Sequence, residues 1–142
     1  MAQPVVIGYD GTPGAQAALA EALRLAGPLG AEVVVTFAYH AGAAGGENID
    51  LIDALRERGN AVAEEALEKA RAAGVPARAE LVNDTPAQGL SSVAADEGAQ
   101  MSVVGSYGET PLKAMIIGST PHRLIHVTET PVLVVRGSLS SR

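Results

Sequence analysis

Cysteine is absent from the 142 residues, which excludes a disulfide framework, a thiolate nucleophile and any metal or iron–sulfur site with cysteine ligands. Aromatic side chains are nearly missing too: three tyrosines, one phenylalanine and no tryptophan. At a net charge of −6, the chain offers neither a basic face to track phosphates along a nucleic acid nor a platform on which bases stack. No apolar run approaches the roughly 20 residues that span a bilayer. The opening MAQPVVIGYD lacks the charged start and long apolar stretch of a signal peptide. Nucleic acid and membrane are therefore not expected partners, and the cytoplasm is the expected compartment.

What is present is a chain with 47% hydrophobic residues, suited to one compact domain over residues 1–142. VVIGY (5–9) is a short β-branched run without polar alternation, as in a central parallel strand covered on both faces. TPGAQAALAEALRLAGPLG reads as a helix, with Thr12 as cap, Pro13 at its first position and Gly27-Pro28 ending it. EVVVTFAY is a second strand, and a long amphipathic helix runs from about Ile49 to Ala73, with Gly59-Asn60 as a point of irregularity. VPARAELV, a helix capped by Thr85 before Pro86, the buried strand MSVVG, a short helix from Ser119 or Thr120 and the strand PVLVVR complete the order. Five strands alternating with four helices predict an α/β fold, a doubly wound parallel sheet with right-handed crossovers. In such a sheet the ligand crevice lies beyond the strand C-termini, where the winding reverses. Asp10 after strand one and Gly105 after strand four are candidates for it.

Between strand four and the last helix the chain reads VVGSYGETPLKAMIIGSTPHR. No Gly-Lys-Ser/Thr occurs anywhere, so this is not a P-loop. Nor does GYDGTPG, after strand one, have the spacing of the dinucleotide fingerprint, and strand two ends in Tyr39-His40 without the expected acid. What remains is Gly105, two residues, Gly108, nine residues, then Gly118-Ser119. Gly105 and Gly108 would let the backbone turn at positive φ and approach a ligand. Gly118, Ser119 and Thr120 would start a helix whose free amides favour an anion. The two hydroxyls can donate to phosphate oxygens or cap the helix, and these roles compete.

That pattern, G-x2-G-x9-G-[ST], together with VVIGYDGTPGAQAALAEAL near the start and GSTPHRLIHVTETPVLVVR at the end, resembles the universal stress protein family, specifically its ATP-binding branch. The resemblance covers nearly the whole chain. It implies a Rossmann-like fold of the adenine nucleotide alpha hydrolase type with strand order 3-2-1-4-5, and a homodimeric regulatory protein of the stress response that binds ATP, or ADP or AMP, with Mg²⁺ as a possible companion. It places Asp10 at the ribose or a phosphate-bound divalent ion, Ala38 against the adenine through its backbone, and Val82 as an apolar wall. Gly105, Gly108, Gly118, Ser119 and Thr120 fall to the phosphates. This chain departs from the family at Tyr107, where a basic residue is common, at Asp84, often glycine, and at Gln100-Met101, where an acid usually precedes strand four.

Other readings stay open on sequence alone. Asp10 is equally a turn-former in DGTPG, and Val82 equally a core residue. Lys113 can neutralise phosphate or simply face water. His122 and His126, four apart, can share a helix face, but two histidines do not make a metal site. Asp10 and Glu109 are the only acids near the expected phosphates and neither has an evident base role, which favours binding over turnover. A nucleotide-free scaffold and a slow ATP hydrolase are the alternatives. The last strand, Pro131–Val135, is the expected dimer contact if it lies uncovered at a sheet margin, with an unidentified protein reading the nucleotide state.

Overall fold

The computed structural model describes residues 2–40, 49–106 and 119–137; Tyr107, Gly108, Glu109, Lys113 and Gly118 lie outside them. The elements follow the order β1 (Val5–Gly8), α1 (Pro13–Leu29), β2 (Val33–Tyr39), α2 (Ile49–Ala72), β3 (Ala77–Asn83), α3 (Pro86–Glu97), β4 (Met101–Gly105), α4 (Ser119–Val127) and β5 (Val132–Val135). All strand pairs are parallel, in the order β3-β2-β1-β4-β5. The predicted doubly wound α/β sheet and its strand order are thus the ones observed.

Local chemistry explains most boundaries. Thr12 caps α1 by accepting from the Ala15 amide at 3.3 Å, with Pro13 behind it. Thr85 holds the same position before α3, yet its side chain makes no capping hydrogen bond. The Asp84 carboxylate instead accepts from the Thr85 amide at 2.7 Å. Gly27-Pro28 does not end α1, which runs on to Leu29. A proline in the last turn forfeits one backbone bond, and the closure comes two residues later: Gly30 turns left-handed and Ala31 donates to the Ala26 carbonyl at 3.0 Å. Gly59 causes no break in α2. It lies buried where a Cβ would come within 2.7 Å of the Phe37 ring and 3.1 Å of Leu81, so its smallness lets α2 sit close on β2 and β3.

Alternation along the strands gives each face its own core. Val5, Ile7, Val33, Val35 and Val103 meet Ala18, Leu19 and Ala22 of α1 and Ala66 of α2. On the other side Val6, Val34 and Val104 meet Ala87, Leu90, Val93 and Ala94 of α3 and Leu124 of α4. Among the described residues no helix is long and apolar enough to cross a membrane.

Candidate functional site

The order β3-β2-β1-β4-β5 reverses the winding between β1 and β4, and a crevice of about 110 Å³ opens there beyond the strand ends. It is lined by Gly8, Tyr9, Asp10 and Thr12 from the end of β1 and the turn after it, Thr36 and Ala38 from β2, and Pro86 and Leu90 from α3. Val104, Gly105, Thr120 and Pro121 close the opposite side. Four of the residues expected from sequence, Asp10, Ala38, Gly105 and Thr120, therefore share one cavity although they come from four separate elements.

The turn after β1 is held firmly. Tyr9 donates its backbone N–H to the Thr36 carbonyl at 2.9 Å, and its hydroxyl donates to Glu65 of α2 at 3.2 Å. Burial, reinforced by Glu65 and Asp10, pushes the Tyr9 hydroxyl pKa up to about 12, so the ring is neutral and serves as a brace. Gly11 follows at φ 83°. Asp10 Oδ1 then accepts from the Thr12 amide at 3.1 Å and from the Thr12 hydroxyl at 2.6 Å. That hydroxyl proton is committed to Asp10, and the same oxygen accepts from Ala15. Asp10 is thus both a turn-former and an exposed carboxylate at the crevice, with both of these Thr12 bonds on one oxygen.

Gly105 has a different physical reason from the expected one. It is the last residue of β4, and it is not among the glycines with positive φ. A Cβ on it would stand 2.5 Å from the Gly14 carbonyl oxygen and 2.7 Å from its carbon. The start of α1 packs directly on the end of β4, which draws the Asp10–Thr12 turn toward β4.

Ser119 opens α4, with Thr120 and Pro121 in its first turn and Thr120 half-buried at the crevice. Val82 does not line the crevice. It pairs with Ala38 in the β2–β3 register, and both back onto Gly89 of α3, where a Cβ would meet Val82 at 3.4 Å and Ala38 at 3.5 Å. His122 and His126 do share a face of α4, their rings edge to face at 5.1 Å. No group of three or more His, Cys, Asp or Glu side chains fit to hold a metal occurs among the described residues.

Thr36 went unnoticed in the sequence. It is 2% exposed, and its hydroxyl has no hydrogen-bond partner among the described residues. A signal was present: it is the one non-aromatic polar residue in VVVTFAY, two positions before Ala38 and so on the same face.

A parallel sheet with a crevice at its switch point, walled by apolar side chains and edged by a carboxylate and a helix start, defines a doubly wound α/β fold whose crevice is a candidate ligand site. Comparison with known proteins makes this particular. The universal stress protein family model matches residues 1–136, and the chain belongs to that family. It is 33% identical over 144 residues to the universal stress protein Rv2005c of Mycobacterium tuberculosis, covering 95% of this chain and 46% of that one. Against YxiE of Bacillus subtilis it is 37% identical over 82 residues, 58% of this chain and 55% of that one. The chain thus spans about half the length of these curated relatives. Among solved structures, MJ0577 of Methanocaldococcus jannaschii superposes with a TM-score of 0.85 at 24% identity, covering 99% of both chains. A universal stress protein in complex with cAMP gives a TM-score of 0.78 at 26% identity, over 96% of this chain and 99% of that one.

Proposed function

We propose that this protein is an ATP-binding, regulatory member of the universal stress protein family, acting as a homodimer whose nucleotide occupancy is read by a protein partner. The observation that carries the proposal is the meeting of Asp10, Ala38, Gly105 and Thr120 around one crevice. The cAMP complex of a relative supports an adenine nucleotide as the ligand class. In this reading ATP, or ADP or AMP, lies with its base between β2 and α3, beside the Ala38 backbone and near Val82. Asp10 takes the ribose hydroxyls or a Mg²⁺ ion, the ion supplying charge neutralisation for the phosphates. Gly105, Gly108, Gly118, Ser119 and Thr120 form the phosphate end, where the first amides of α4 favour an anion. The residues fit such a guest on two grounds: the second Asp10 oxygen, which takes no part in the bonds to Thr12, and the Thr36 hydroxyl, which has no partner among the described residues.

Thermal unfolding with and without Mg-ATP tests the reading. Ligand at about 100 times its Kd adds roughly 2.7 kcal/mol, a rise in Tm of roughly 5–10 °C at this chain length. No shift at millimolar nucleotide would favour a nucleotide-free scaffold. Phosphate release measured on the same samples separates a binder from a hydrolase, since many turnovers lost in Asp10→Ala would make the protein an enzyme.

The two sheet edges motivate the dimer. On β3, Arg78 pairs with Glu32 at 3.4 Å, with Glu80 at 3.0 Å and with Glu97, a charged fringe that discourages strand addition. On β5, Val132–Val135 are all apolar and only partly buried. We assign this edge to pairing with a second copy. Val134→Pro removes a backbone donor there, and light scattering should find the folded variant monomeric; a folded variant that stays dimeric would place the interface elsewhere.

A further inference from the structure

Of all the polar groups in the crevice wall, the Thr36 hydroxyl is in the most costly position. Its oxygen is buried without a partner among the described residues, and Thr36, 2% exposed, is one of the residues that line the cavity. Its neighbours at that end are apolar or lack a side chain. Across the ladder is Gly8, whose missing Cβ leaves room for Leu90 at 2.9 Å; Ala38 follows on the same face of β2. The backbone of Thr36 is already used, its carbonyl accepting from Tyr9 at 2.9 Å. A hydroxyl left unpaired in such surroundings is destabilising in the free protein, and valine would fill the same volume with no polar atom. The folded structure therefore keeps, in a residue of the crevice wall, a hydroxyl that no described residue satisfies.

We propose that Thr36 is a specificity-determining residue of the crevice, its hydroxyl forming a hydrogen bond with one polar atom on the edge of a flat heteroaromatic base whose faces lie against Leu90 and the small residues of β1 and β2. The proposal rests on the nucleotide-binding reading above and adds to it the group that reads the base. Hydroxyls both donate and accept, so the partner is a ring nitrogen or the exocyclic amine. Sites that hydrogen-bond a ligand group discriminate against analogues lacking it far better than apolar pockets do, because a buried partner is then stranded.

Calorimetric titration of wild type, Thr36→Val and Thr36→Ser with ATP provides the test, followed by the 1-deaza, 3-deaza, 7-deaza and 6-desamino analogues of ATP. Thr36→Val should bind ATP roughly tenfold more weakly while its free form melts no lower than wild type. Thr36→Ser, which keeps the hydroxyl, should retain affinity. For one analogue, the one missing the atom that Thr36 contacts, the penalty of Thr36→Val should vanish. Undiminished ATP binding by Thr36→Val, or an equal penalty across every analogue, would overturn the role of Thr36 while leaving nucleotide binding intact. Failure of wild type to bind ATP or any analogue would overturn both readings together. Should valine prevent folding, Thr36→Ala takes its place with the same expected loss and the same overturning result.

Discussion

On the α1/α2 face of the sheet, Val5, Ile7, Val33, Val35 and Val103 are covered by alanines and leucines, with no unpaired buried side-chain polar atom among the described residues. On the α3/α4 face, Thr36 and Ser102 bury hydroxyls that find no partner among the described residues, Ser106 just past β4 does the same, and the crevice opens between α3, α4 and the strand ends. Strand register puts Ser102 opposite Val6, on the same side as Val34 and Thr36. One face is thus packed for stability, while the other gives up part of its packing to a cavity and keeps unsatisfied polar atoms. Buried polar groups without partners are uncommon in folded proteins, and of these three hydroxyls only that of Thr36 belongs to a residue of the crevice wall.

This asymmetry can be broken by experiment. The largest effect is expected from Leu19→Ala on the α1/α2 face, at about 2–5 kcal/mol of lost stability in denaturant titration. Leu90→Ala on the crevice side should cost clearly less, since the void it leaves merges with an existing opening; equal costs would mean the faces are equally packed. Gly105→Ala comes next, at about 1–3 kcal/mol, because its new methyl meets the Gly14 backbone and α1 must shift. The smallest effect concerns Tyr9, whose pKa is raised from 10.0 to about 12 by burial and by Glu65. Because the fold disfavours the ionised ring, the contribution of Tyr9 is complete below pH 10 and declines as pH climbs toward 12. Tyr9→Phe should therefore lose stability less steeply than wild type across that interval, and parallel slopes would exclude Tyr9 as the titrating group.

Element order and helix starts were legible because they rest on neighbours in sequence: β-branched runs for strands, Thr-Pro for helix starts. The misreadings share one cause. Gly27-Pro28 reads as terminal and Gly59-Asn60 as an irregularity, yet α1 closes at Gly30, and Gly59 answers to Phe37 and Leu81 on neighbouring strands. Asp10 and Gly105, expected from their places at strand ends, and Ala38, expected from the family resemblance, line the crevice, whereas Val82 lies behind Ala38 and Thr36 reads in the sequence as one more strand residue. Gly108 and Gly118, expected at the phosphates, lie outside the described residues.

By itself the sequence determined the alternation of strands and helices and hence the doubly wound sheet, since periodicity and capping act within a few residues of chain. Only the tertiary structure decided that Gly105 makes room for Gly14, that Tyr9 leans on Glu65, and that Thr36 is buried at the crevice wall without a partner among the described residues. Those facts depend on groups dozens of residues apart, brought together by the order of the strands.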